Sequence, residues 1–245
     1  MPATPAWPPA STPRLFVDRA LDAVGELPVG GAQAHYLLGV MRLKPGDPVR
    51  LFDDRTGEWL ATVAHAGKRD LILSVEAMLH PRETVPDLWL LAAPIKKGRI
   101  DWLAEKACEL GVARLAPVIT RRTMVDRLNL DRLRAHMIEA AEQCGRTALP
   151  ALVEPRKLDA VLRDWPADRM LLFADEQGGI PLIEAAKPGP AAILIGPEGG
   201  FAPEERESVR AVPQAIGISL GPRILRADTA AAAAIALWMA AAGDW

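Results

Sequence analysis

"ILIGPEGGF", residues 193–201, is the stretch whose reading decides the fold. An apolar run of strand length stops abruptly at Gly196-Pro-Glu-Gly-Gly200. Glycine lets a backbone turn tightly and lets a ligand approach closely, and proline fixes one dihedral of the turn. A plain strand-to-helix turn reads the same way, so the neighbouring sequence must decide. Two more apolar runs, Met170–Ala174 and Ile216–Leu220, also end in loops rich in glycine or charge, Asp175-Glu-Gln-Gly-Gly and Gly221-Pro-Arg. Continuous apolar strands separated by helices predict an α/β domain with a parallel sheet covered on both faces. In such sheets a ligand sits beyond the carboxyl ends of the strands, so three such loops side by side would form one pocket.

The same alternation runs back to Asp87. Leu88–Ala93 and Leu115–Ile119 read as buried strands, and residues 99–111 and 130–144 as amphipathic helices. Ile100, Leu103, Ala104, Ala107 and Leu110 share one stripe, and Gly111 suits the position after the helix end. Ahead of these, residues 14–79 read as short strands and turns, with a helix at 31–40 and turn signals at Pro45-Gly-Asp and Asp53-Asp-Arg-Thr-Gly57. The predicted organisation is a loose tail at 1–13, a small β-rich domain at 14–79, and an α/β domain at 80–245 opened by the linker His80–Pro86.

The chain has 245 residues, half of them hydrophobic, with a net charge of −2. That is a soluble composition with no run long enough to span a membrane and no signal-peptide layout at the start. Two cysteines, Cys108 and Cys144, suit a reducing cytoplasm. Charge is uneven. Residues 94–127 hold eight basic against four acidic side chains, a patch able to follow a phosphate backbone or to be absorbed by salt bridges.

Several familiar chemistries are excluded. No Gly-x-Gly-x-x-Gly follows a strand, no phosphate-binding Gly-Lys-Ser/Thr loop exists, and the four histidines and two cysteines lack metal-ligand spacing. Gly217-Ile-Ser-Leu-Gly221 matches a hydrolase nucleophile elbow, but Pro222-Arg223 follows instead of a helix, and every histidine precedes Ser219.

Leu194-Ile-Gly-Pro-Glu-Gly-Gly-Phe201 and Ser219-Leu-Gly-Pro-Arg-Ile-Leu-Arg-Ala-Asp-Thr-Ala230 together resemble the two signature loops of the RsmE-type 16S ribosomal RNA (uracil-N3)-methyltransferases of the SPOUT superfamily. His35–Asp47 resembles that family's PUA-like domain, and Lys106–Val112 and Glu139–Pro150 resemble two further blocks. One departure is Ala227-Asp228, where the family commonly has Thr-Glu. The resemblance implies a SPOUT trefoil-knotted parallel-sheet domain behind a PUA-like β-barrel, S-adenosylmethionine as cofactor, no metal, a homodimer, and 16S rRNA, in the 30S subunit, as partner. A knot is not what general topology rules predict.

The chemistry so implied, read against the loops and the charge distribution, sorts the residues into roles. The cofactor would lie against Phe173, Ile195, Gly196, Pro197, Gly199, Gly200, Leu220, Gly221, Ile224 and Leu225. RNA would meet Arg42, Lys96, Lys97, Arg99, Arg121, Arg122, Arg146 and Arg223. Arg226 is the expected stabiliser of a deprotonated uracil, and Glu198 the expected base or N3–H acceptor. Glu198 reads equally well as a carboxylate capping nearby amides. A different class stays open beside the enzyme: a non-catalytic RNA-binding or ribosome-assembly protein, which would have no use for an intact cofactor pocket.

Overall fold

The structure, a computed structural model, describes residues 11–22, 25–125 and 127–245. Packing divides the chain into two units. The first comprises residues up to Thr84 together with Glu142–Ala148, and the second comprises Val85–Ala141 and Leu149–Trp245.

In the first unit β1 (Arg14–Phe16), β2 (Gly25–Val29), β3 (Pro48–Phe52), β4 (Gly57–Ala66) and β5 (Leu71–Pro81) form a sheet in the order β1-β3-β4-β5-β2. Only β1 and β3 are parallel neighbours. β2, which the sequence reading did not single out, carries Pro28 inside it. It is an edge strand, where a missing amide is tolerated. α1 (Gly31–His35) continues into one π turn over Tyr36–Val40, closed by a bond from Met41 N–H to Tyr36 O at 2.9 Å. Leu37, Val49, Leu51, Leu71 and Leu73, all fully buried, anchor the core.

Two sequence expectations change here. Of the predicted loose tail, residues 1–10 lie outside the described residues, but Thr12 and Pro13 are buried, and Pro13 O accepts a bond from Arg50 N–H at 2.9 Å. The predicted linker begins as strand, because β5 runs on to Pro81 while pairing Glu58 with His80 and Gly57 with Pro81.

In the second unit the strands are β6 (Leu88–Ala92), β7 (Arg114–Ile119), β8 (Ala151–Leu152), β9 (Arg156–Lys157), β10 (Met170–Ala174), β11 (Ile180–Pro181), β12 (Ala191–Ile195) and β13 (Ala215–Ser219). Their order is β11-β13-β10-β12-β6-β7-β8, with β9 beside β7, and every pairing is parallel. Six helices accompany them: α2 (Arg99–Glu109), α3 (Leu130–Cys144), α4 (Leu158–Arg163), α5 (Leu182–Ala185), α6 (Pro203–Arg210) and α7 (Ala227–Ala242). Gly111 takes a φ of 88° just past α2, the left-handed cap expected of it. α7 packs on α2, α5, β6 and β12, and buries Ile235, Trp238 and Met239 within its own chain. Its apolar width therefore needs no second subunit to explain it.

The Asp53 turn is the best-defined polar feature of the first unit. Its carboxylate is buried and accepts N–H bonds from Leu21 at 2.7 Å, Arg55 at 2.9 Å and Thr56 at 2.7 Å, plus the Thr56 hydroxyl at 2.7 Å. Burial by itself pushes this carboxyl up, but the three amides and the hydroxyl outweigh it and hold the pKa below its ordinary value. A depressed carboxyl stabilises the fold above its unfolded pKa, and that stability is lost as pH falls through the folded value. Asp53→Asn should cost about 1–3 kcal/mol near neutral pH, because an amide nitrogen then faces donors. Its urea-unfolding stability should also lose part of the acid-side fall shown by the parent chain between neutrality and pH 3. Matching pH curves would contradict this.

Candidate active site

β10 pairs on one side with β12 and on the other with β13. All three run the same way, so their exit loops emerge at one end of the sheet. There they enclose a cavity of about 280 Å³. Its wall comes from Ala174, Asp175, Glu176 and Gly178 after β10, and from Ile195–Glu198, Gly200 and Phe201 after β12. Ile218–Leu225 after β13 and Ala227 and Ala230 of α7 complete it.

Of the ten expected cofactor residues, Ile195, Gly196, Pro197, Gly200, Leu220, Gly221, Ile224 and Leu225 line this cavity. Phe173 does not. It is 1% exposed and belongs to the core against Leu194 and Phe201, because successive strand residues alternate faces and it is Ala174 that reaches the cavity. Gly199 is also absent from the wall. Its carbonyl turns outward and accepts a 2.6 Å bond from Arg122 Nη1. Sequence reasoning omitted Asp175, Glu176 and Ser219 from the site, although the loop after β10 already carried a glycine-and-charge signal. The hydrolase reading of Ser219 stays excluded: no helix follows β13 until Ala227, and the Ser219 hydroxyl accepts a 3.3 Å bond from Gly221 N–H.

The loop after β12 is held from two sides. Gly200 has φ +67°, and a Cβ there would sit 2.4 Å from the Glu176 carboxylate. A residue with a Cβ would be strained at that dihedral and would also have to push the Glu176 carboxylate aside. Glu176 in turn pairs with Arg206 of α6 at 2.8 Å. Arg206 also meets Asp175 at 3.1 Å, and Arg210 meets Asp175 at 2.6 Å. Glu205 caps α6 through Ala202 N–H at 2.9 Å and accepts Arg121 N–H at 2.7 Å.

Glu198 lines the cavity with an exposed side chain, and among the described residues no hydrogen bond or ion pair engages it. Its alternative reading, capping nearby amides, finds no such bond. Arg223 lines the cavity, whereas Arg226 directly precedes α7, exposed and outside the wall. The basic patch is less free than its count implied. Arg99 pairs with Asp228 at 3.1 Å and Arg121 with Glu204 at 3.0 Å, while Lys96 and Lys97 are exposed. Arg42 is exposed in the first unit. Arg146 is a correction: it is 6% exposed, with Nε 3.8 Å from Glu83 and its carbonyl bonded to Arg14, so it is a buried strut and not an RNA-facing cation. No cluster of potential metal ligands occurs among the described residues.

A parallel α/β unit with an apolar, glycine-edged crevice at its carboxyl end, preceded by a small β unit, defines a nucleotide-type cofactor-binding enzyme class. Residues 82–239 match the family model described as an RNA methyltransferase domain, and residues 29–76 match the RNA methyltransferase PUA domain. The chain therefore belongs to the RNA methyltransferase family, and the curated relatives it matches include proteins named ribosomal RNA small subunit methyltransferase E. It is 33% identical to the Rickettsia conorii member over 82% of this chain and 84% of that one. A Neisseria gonorrhoeae structure of that name, bound to S-adenosyl methionine, superposes with a TM-score of 0.87 at 26% identity, covering 96% of this chain and 99% of that one. A Legionella pneumophila methyltransferase structure in complex with the same cofactor gives 0.84 at 28% identity, with 96% and 99% covered.

Gly200 and Gly199 separate cleanly by experiment. Gly200→Ala should cost at least about 1 kcal/mol through its left-handed backbone and the displaced Glu176. Gly199→Ala meets nothing nearer than 3.5 Å and should stay within about 0.5 kcal/mol. Equal thermal unfolding temperatures for the two variants would contradict the loop geometry.

Proposed function

We propose that this chain methylates N3 of one uridine in 16S rRNA within the 30S subunit, using S-adenosylmethionine, as a cytoplasmic homodimer. The observation that carries this reading is the single cavity built by both signature loops at the carboxyl ends of β10, β12 and β13. Its residues fit the cofactor. Leu220, Ile224 and Leu225 offer apolar walls for an adenine, and Gly200 lets backbone approach it. Glu198, which no ion pair engages among the described residues, favours a ligand carrying positive charge. When bound, the cofactor supplies an electrophilic methyl group on a sulfonium, so no metal is needed.

The chain's own residues would then manage the uracil. N3 is an imide nitrogen on the Watson–Crick edge, so the base must be unpaired to reach the cavity. Glu198, on the cavity wall with no competing partner among the described residues, would accept the N3–H proton. The resulting negative charge spreads onto O2 and O4. Arg226, at the amino end of α7 where free amides add positive potential, is assigned to stabilise it, and Arg223 on the wall stands beside it. Asp228, the family departure, holds Arg99 instead of facing the cavity.

Arg226→Lys keeps charge but loses the planar fork. Single-turnover methylation of 30S particles at saturating RNA should fall roughly 10²-fold, with cofactor affinity little changed. A normal rate with weakened RNA binding would make Arg226 a phosphate contact, and a loss confined to Arg223→Lys would pass the role to Arg223. The dimer is supported by Ile180 and Ile183, which lie outside the cavity wall and stay 46% and 59% exposed. Sedimentation at micromolar concentration should give twice the chain mass, and a monomer would remove this part of the proposal.

A further inference from the structure

The basic pair Arg121-Arg122 reads from sequence as RNA-binding, yet the structure puts it to other use. The chain leaving β7 makes a tight turn, closed by Thr120 N–H to Thr123 Oγ1 at 2.9 Å and by Thr123 N–H to Thr120 O at 3.2 Å. That turn is riveted to α6 by the bond from Arg121 N–H to Glu205, a carboxylate that is 4% exposed. The Arg122 side chain is thereby aimed at the loop after β12. Its guanidinium donates to Gly199 O at 2.6 Å. Its stem runs beside Gly199, with Cδ 3.5 Å from where a Cβ would stand.

We infer that Arg122 is a positioning residue for the cofactor loop. It acts through Gly199 O, holding the Gly196–Gly200 backbone so that Ile195, Pro197 and Gly200 keep their places on the cavity wall. Without that bond the loop loses its anchor to the turn after β7. A charge-assisted bond to a carbonyl is strong enough to matter, and the loop carries two neighbouring glycines free to adopt other dihedrals. The inference rests on the cavity being the S-adenosylmethionine site.

The test is calorimetric titration of the full-length protein with S-adenosylmethionine, beside salt-dependent binding of 16S rRNA. Arg122→Ala should weaken the cofactor roughly tenfold, the scale of one lost charge-assisted bond. Arg122→Lys, which can still donate to Gly199 O, should recover most of that loss, a rescue that mere packing would not produce. RNA affinity and its salt slope should stay near those of the parent chain. Unchanged cofactor affinity in Arg122→Ala, or a loss of about one unit of salt slope with intact cofactor binding, would overturn the assignment and return Arg122 to the RNA. Should Arg122→Ala fail to fold, a Lys variant no better than Arg122→Met, which keeps the stem but has no donor, would overturn it equally. Absence of heat with the parent chain would instead strike at the cofactor reading itself.

Discussion

The central constraint is that β10 lies between β12 and β13 and runs parallel to both. Parallel pairing brings three carboxyl ends to one edge, and everything chemical in the second unit follows from that edge. The first residue past β10, Asp175, has a side chain only 1% exposed and is neutralised by Arg206 and Arg210. A buried carboxylate is costly alone, and stripping a partner from such a pair typically costs 3–5 kcal/mol. The loop after β10 and the helix after β12 are therefore tied together, and the cavity between their strands has fixed walls.

Around that tie the glycine loop is confined by complementary means. On one side Glu176 lies where any Cβ at residue 200 would be, and on the other Arg122 reaches Gly199 O. The arginines of this region thus perform structural tasks before any RNA arrives. Arg99, Arg121 and Arg122 all have protein partners, and the acids that pair with Arg99 and Arg121, Asp228 and Glu204, come from far along the chain. A local count of eight basic against four acidic residues misses those partners. Lys96, Lys97 and Arg127 are exposed cations of that stretch, and Arg121 and Arg122 are exposed as well despite their partners.

The sequence was most legible where structure is local. Apolar runs placed β6, β7, β10, β12 and β13 within a residue or two, the stripe on α2 and the Gly111 cap came from helical spacing, and the Asp53 turn came from its own side chain. Legibility failed for elements too short to show a period, namely β8, β9, β11, α4 and α5, and for β2, a five-residue edge strand interrupted by Pro28. Phe173 was misplaced because an all-apolar strand does not announce which face looks toward the pocket. Arg146 was misplaced because nothing local reveals that Glu142–Ala148 packs with the first unit, where Glu83 bonds Thr147 and Ala148.

By itself, then, the sequence determined a parallel α/β unit behind a β-rich one, the two loops that would meet a cofactor, and the family those loops belong to. Turn dihedrals, apolar period and glycine placement act over a few residues, so they are written in consecutive letters. Tertiary structure alone decided which glycine is obligatory, which arginines are already engaged, and which side of each strand faces the cavity. Those outcomes depend on groups such as Arg121 and Glu205, 84 residues apart, arriving within 2.7 Å of one another. Distance in space is set by strand order, and strand order is a property of the whole sheet.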